Sequence, residues 1–194
     1  MKKLLITGFE PFGGEKINPS WEAVKALPEK INDYELIKLC LPVVFGEAAE
    51  IAVREAEKHN PDVIISIGQA GGRAAITPEL VAINLRHAKI PDNKGNQPKD
   101  EPIIEGGATA YFSTLPVRKM ADAISSLGIE SILSYSAGAY VCNDLLYTIL
   151  SHFDGTKTRA AFIHIPYCKE QNKEPSMDMT EIIKGLTALI KNLE

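Results

Sequence analysis

A few short, almost wholly apolar runs constrain this chain more than any other feature. Val63–Ile67 carries no polar side chain but Ser66. A strand with one wet face alternates apolar and polar residues. An unbroken run belongs to a strand covered on both faces, as in a parallel sheet between helices. Leu4–Phe9, Tyr34–Val44, Glu79–Arg86, Ile132–Ser136 and Ala160–Ile165 read as further strands. Helical segments lie between them. Asn18-Pro19-Ser20 opens one that runs to about Leu27, with Pro19 early in the first turn. Ala48, Ala49, Ala52, Val53 and Ala56 give helical spacing to Phe45–His59. Pro116–Leu127 closes on Gly128, Ala139–Phe153 follows the turn at Gly138, and Met177–Leu193 is the last helix. Lys89–Asp100, rich in Pro, Asn and Gly, is expected as a long loop. Strands alternating with helices predict an α/β fold, a mostly parallel sheet with helices on both faces. There is no internal repeat and no linker, and 194 residues suit a single domain, 1–194.

Composition excludes several classes. The net charge is −4 with Lys and Arg scattered, so no basic stripe offers a nucleic-acid surface, and no zinc-finger spacing occurs. The first apolar run stops at Thr7-Gly8, shorter than an exported segment needs, and no run approaches the ~18 residues of a membrane span. The expectation is a soluble, cytoplasmic protein. Three cysteines, Cys40, Cys142 and Cys168, are an odd number and argue against a disulfide framework.

In open α/β sheets the chemistry gathers at the carboxyl ends of the strands. Two glycine loops, Gly8–Gly14 and Gly68–Arg73, fall there, as do Gly138 and the end of the strand bearing His164. Cys142 stands in the first turns of a helix, where the positive end and free N–H groups favour thiolate at neutral pH. The same position also suits a small buried helix residue. Cys40 sits in an apolar strand and reads as buried; Cys168, after Tyr167, reads as a loop-borne spectator thiol. His164 amid Phe162, Ile163 and Ile165 is either a hydrogen-bonded core residue or a base facing a neighbouring nucleophile. Glu79 at a strand start is either a solvated edge residue or the acid that orients the histidine; the pattern does not single it out from 25 acidic residues. The glycine loops lack P-loop or dinucleotide spacing. Phe9 and Phe12 in the first of them are placed to sandwich a small flat ring.

These residues resemble the pyroglutamyl peptidase I (pyrrolidone-carboxylate peptidase) family. The similarity runs nearly end to end: Thr7–Gly14, Asn18–Ser20, Gly71–Arg73, Glu79 with Val81–Asn84, Ile90–Asn93 with Gly95–Pro98, Tyr111–Pro116, Ala137-Gly138, Val141–Asn143 and Phe162–Pro166. The resemblance implies a three-layer α/β/α sandwich with a twisted, mostly parallel sheet, and a cysteine peptidase that removes N-terminal pyroglutamate from peptides. It places the nucleophile at Cys142, its base at His164 and the third member at Glu79. It implies that Phe9 and Phe12 flank the pyrrolidone ring, that Asn18 and Gln69 contact its amide, and that Tyr140 and Val141 line the same pocket. Ile90 and Lys89 are carried over as substrate-binding positions. It implies no cofactor or metal, no nucleic-acid or membrane partner, and a homo-oligomer, often a tetramer.

The chain departs from the family pattern at Tyr135 and Ser136 before the cysteine, at Tyr140 where Phe is frequent, and at Lys89 where arginine is common. Lysine keeps the charge but loses the planar fork. Two other classes compete: a non-catalytic small-molecule binder using the glycine loops, and a thiol redox protein using Cys142 and Cys168. No Cys-x-x-Cys motif supports the second.

Overall fold

The computed structural model describes residues 1–194. In chain order the elements are β1 (Lys2–Phe9), α1 (Pro19–Ala26), β2 (Lys30–Ile31), β3 (Tyr34–Leu41), α2 (Glu47–His59), β4 (Val63–Gln69), β5 (Thr77–Pro78), β6 (Val81–Ile83), β7 (Ala110–Phe112), α3 (Val117–Ser125), α4 (Val141–His152), β8 (Arg159–Ile165), β9 (Tyr167–Cys168), β10 (Ser176–Met177) and α5 (Met179–Lys191). One six-stranded sheet has the order β2-β3-β1-β4-β8-β5. Its four central strands are parallel, and the short edge strands β2 and β5 are antiparallel to their neighbours. No helix is long and apolar enough to cross a membrane.

The apolar runs are explained by what covers them. Leu4 and Ile6, Val63, Ile65 and Ile67, and Ala161, Ile163 and Ile165 pack against α1, α3 and α5. The alternate residues Leu5, Ile64, Ala160 and Phe162 pack against α2 and α4. The strands therefore have no wet face, and the layers are helix, sheet, helix. Asn18 caps α1 by accepting from the Ser20 N–H, with Pro19 in the first turn, as the sequence indicates.

Two expected strands are corrected. Glu79–Arg86 does not continue in the main sheet. Proline has no N–H for a ladder, and past Pro78 the chain leaves β8 and pairs as β6 with β7 in a separate two-stranded sheet. Ile132–Ser136 is extended but touches its neighbours only at isolated bridges, Ser131 to Ile76 and Ser134 to Glu79. Its backbone still pairs with the chain around β5: the Ser134 N–H donates to the Pro78 carbonyl at 2.9 Å, and the Ser134 carbonyl accepts from the Leu80 N–H at 2.8 Å.

Helix α4 is fixed by Asn143, which is fully buried. Its Oδ1 accepts from the Ile83 N–H at 3.0 Å, and its Nδ2 donates to the carbonyls of Ile83 at 2.8 Å and Leu85 at 3.1 Å. One side chain thus ties the start of α4 to β6. Asn143→Leu leaves a buried N–H and two carbonyls unpaired, each costing about 1–3 kcal/mol. Urea unfolding is expected to show a loss of at least about 2 kcal/mol; an unchanged midpoint would contradict this role.

Candidate active site

Side-chain alternation builds the site. On the α4 side of the sheet, β8 presents Ala160, Phe162 and His164, and β4 presents Ile64, Ser66 and Gly68, with Gly68 opposite His164 in the register. The polar member of the series is thus the last one, at the carboxyl edge. Cys142 is the second residue of α4 and is brought down onto this edge. A Cβ at Gly68 would lie 2.6 Å from the Phe162 ring and 3.0 Å from Cys142 Sγ. Only glycine lets the thiol sit directly over the strand.

Glu79, with no exposed surface, reaches the same edge from the chain just beyond β5. His164 Nδ1 lies 2.7 Å from Glu79 Oε1, which leaves Nε2 for the nucleophile. The same oxygen accepts from Arg73 Nη1 at 2.6 Å, while Oε2 has no partner. Arg73 also donates to Thr77 Oγ1 at 2.7 Å and to the Ser136 carbonyl at 3.3 Å. The sequence reading quoted Arg73 in the second glycine loop but gave it no part. The available signal was a cation directly after a glycine loop at the sheet's carboxyl edge.

Burial pushes the Glu79 carboxyl up, but the hydrogen bond and charge of His164, together with the Arg73 bond, bring it below the usual carboxylate value. Burial pushes His164 down, and Glu79 only partly restores it. Burial, then the Glu79 charge, push the Cys142 thiol up to about 12 against the opposing pull of Arg73. Burial thus opposes the thiolate that the helix N-terminus favours, and Glu79 and Arg73 act on the thiol with opposite signs.

A small cavity of about 30 Å³ adjoins Cys142. Phe9, Phe12, Asn18, Val43, Gln69, Tyr140 and Val141 line it with Cys142. All six residues expected around the pocket are brought together, and Val43 was not foreseen. Lys89 and Ile90 are not among them; both are exposed on the loop after β6, with Ile90 at 50%. Asn18 is largely occupied by capping: its Oδ1 accepts from the Ser20 N–H and hydroxyl, and its Nδ2 donates to the Glu10 carbonyl. Tyr140 stacks edge-on to Phe45, and its hydroxyl donates to the Pro91 carbonyl at 3.0 Å. Asp92, another buried acid, lies on this loop. It accepts from the N–H groups of Phe45, Lys94 and Asn96 and knots the loop. Asn93 then ties that loop to Glu10 and to the Pro11 carbonyl, beside Phe12.

The pyroglutamyl peptidase family model matches residues 2–194. The chain belongs to the pyroglutamyl peptidase family. It is 50% identical over 196 residues to the pyrrolidone-carboxylate peptidase of Lactobacillus acidophilus, covering 97% of each chain. The Thermococcus kodakarensis pyrrolidone-carboxylate peptidase is 48% identical over 194 residues, covering 97% of this chain and 94% of that protein. Among solved structures, Bacillus amyloliquefaciens pyroglutamyl peptidase I superposes with a TM-score of 0.95 at 44% identity, covering 100% and 97% of the two chains. The pyrrolidone carboxyl peptidase of Thermococcus litoralis gives 0.94 at 38% identity, covering 100% and 93%.

The other two cysteines reverse their expected exposure. Cys40 is exposed, and Cys168 is fully buried where β9 pairs with β10. Iodoacetamide at pH 8 is therefore expected to modify Cys40 in the native protein and to reach Cys168 only after unfolding. Peptide mass mapping reads this directly, and native labelling of Cys168 ahead of Cys40 would contradict it.

Proposed function

We infer that the protein is a cysteine exopeptidase that removes N-terminal pyroglutamate from peptides, acting as one catalytic domain. The observation that supports this reading is a thiol, Cys142, that lines an aromatic-walled pocket and lies over Gly68, the residue in register with the Glu79-bonded His164. Family membership supplies the reaction class.

The steps follow from the site's geometry. The pyrrolidone ring enters between Phe9, Phe12 and Tyr140, and its carboxyl-side carbonyl meets Cys142. As Sγ attacks, His164 Nε2 takes the thiol proton. The charge that grows on the imidazole is stabilised by Glu79, whose hydrogen bond to Nδ1 fixes the ring's orientation. The first N–H groups of α4, those of Val141 and Cys142, have no acceptor within the helix and suit the developing oxyanion. His164 returns the proton to the leaving amine, whose C–N bond breaks to give a thioester. Water then attacks the thioester, His164 taking its proton and passing it to the sulfur as pyroglutamate leaves. Arg73 bonds the same Glu79 oxygen as His164 and, behind the larger effect of His164, helps keep the carboxylate ionised.

The Cys142–His164–Glu79 roles are supported by this arrangement rather than by Cys142 acidity. Self-association belongs to the same reading: Phe112, Ile132 and Tyr135 are each at least 60% exposed, more than large apolar side chains need to be on an isolated chain.

Two outcomes test the reading. Release of a reporter amine from a pyroglutamyl conjugate is expected to exceed that from a prolyl conjugate at least ~100-fold, because proline leaves the pocket's polar groups unpaired. Cys142→Ser is expected to lose at least ~1,000-fold in kcat while Cys40→Ser keeps full rate; a working Cys142→Ser would refute the mechanism. The pH profile is a further test. Because His164 is held below its ordinary 6.5, it stays a neutral base until pH falls through that lowered value. Thus kcat/KM should rise with a midpoint below pH 6.5. Burial also pushes the Cys142 thiol up, so no thiol-linked step is expected in the neutral range. A midpoint near 8 would mean that thiol ionisation limits the rate.

A further inference from the structure

Glu79 is wholly withdrawn from water, yet only one of its oxygens is bonded. His164 Nδ1 and Arg73 Nη1 both meet Oε1, at 2.7 and 2.6 Å. A carboxylate held by a single donor exchanges its oxygens by turning at the cost of one bond. With two donors on the same oxygen, the same turn breaks both. The two partners are not equivalent. His164 gains and loses charge as it moves a proton, whereas Arg73 is a cation at every working pH. Arg73 is also braced. Its Nη1 donates to Thr77 Oγ1 on β5 at 2.7 Å, and its Nη2 donates to the Ser136 carbonyl at 3.3 Å, in the segment that leads into α4. Ser136 Oγ accepts in turn from the Gly138 N–H at 3.1 Å. One rigid, planar fork makes all of these bonds. The loop sets where that fork begins: Gly72 takes φ +87°, and the Arg73 N–H closes the turn on the Ala70 carbonyl at 3.3 Å.

We propose that Arg73 is a positioning residue that pins the Glu79 carboxylate, from braces on β5 and on the segment before α4, so that His164 keeps one ring orientation for proton transfer with Cys142. The inference rests on the pyroglutamyl peptidase reading and goes beyond the charge that Arg73 supplies. Arg73 does not line the cavity beside Cys142. It opens instead on a separate groove of about 360 Å³, walled by Thr77, Glu130, Ile132 and Ser134, which shares no residue with that cavity. Its side chain is 33% exposed there, and Glu79 lies behind it with no exposure. Arg73 therefore acts on the reaction through Glu79 and not through the bound ring. The ionisable groups that face Glu79 are His164 from β8, Cys142 from α4 and Arg73 itself.

The test uses the full-length protein with Arg73→Met and Arg73→Lys, assayed on a pyroglutamyl conjugate across pH. Arg73→Met should lower kcat at least about tenfold with KM little changed, because the loss falls on the reacting groups and not on the ring pocket. The acid-side midpoint of kcat/KM should move up in this variant. Without the cation, the Glu79–His164 pair takes up its proton more readily, whichever of the two holds it. Arg73→Lys keeps the charge but loses the fork, so its midpoint should stay with that of the unsubstituted protein while kcat still falls. That variant tests the geometry even where Arg73→Met does not fold. In a Glu79→Gln background, Arg73→Met should add little further loss, the mark of two residues acting as one. A merely structural role would lower the melting temperature and leave the midpoint in place. Full kcat in Arg73→Lys would overturn the proposal, as would a loss carried by KM, an unmoved midpoint in Arg73→Met or additive losses in the double variant. Those results would leave the peptidase reading intact; that reading fails separately, if the unsubstituted protein does not cleave the pyroglutamyl conjugate.

Discussion

The site depends on a missing side chain. At Gly68 the backbone of β4 is bare where the start of α4 crosses it, and any Cβ would meet both Phe162 and the Cys142 sulfur. A sheet covered by helices normally keeps side-chain layers between helix axis and strand. Removing one layer at one residue lets a helix terminus reach the sheet edge, where His164 stands in register with that glycine. Asn143 holds the helix in this position through three buried hydrogen bonds to β6 and the chain after it. The catalytic geometry is thus set by packing and backbone bonding before any charge is considered.

Electrostatics then decide which protonation state the geometry holds. Two ionisable groups are withdrawn from water beside a buried carboxylate. Desolvation favours the neutral form of each. Glu79 favours imidazolium but opposes thiolate, and Arg73 does the reverse. The ion pair is reached only as substrate carbon accepts the sulfur, when the negative charge moves onto an oxygen beside the free N–H groups of α4. Glu79 meanwhile keeps its charge through two short bonds to a single oxygen. The arrangement stores its charge at the rear of the site and keeps the front neutral until reaction.

The sequence displayed the central strands because burial on both faces leaves an apolar run with no alternation. It displayed Cys142, His164 and Glu79 less well, and only ordered resemblance across many segments picked out Glu79. The thiols show why single-segment patterns mislead. Cys40 shares its strand face with Tyr34 and Leu36, but that face is covered only at the β3 start, and by Lys38 it is already lined by a cation reaching the α1 carboxyl end. Cys168 lies in a polar-looking segment, yet β10 returns to pair beside it and closes the core over it. Both outcomes come from contacts remote in sequence. Arg73 was hidden for a related reason: nothing local says which acid a loop arginine will reach. Lys89 and Ile90 were carried over from family pattern and stand outside the pocket walls.

Selectivity has its own physical logic. Aromatic walls such as Phe9, Phe12 and Tyr140 receive any small flat ring, and apolar contact separates ligands differing by a methylene by only about 1–3 kcal/mol. Proline and pyroglutamate share their ring size, so the walls alone do not separate them. A directional group must do so, and such a group discriminates only if it is held; an amide free to rotate satisfies itself elsewhere. The cap on α1 takes Asn18 out of contention by filling its acceptor. Gln69, the last residue of β4, is the other polar residue on the pocket wall, and it stands on a paired strand whose backbone cannot turn away.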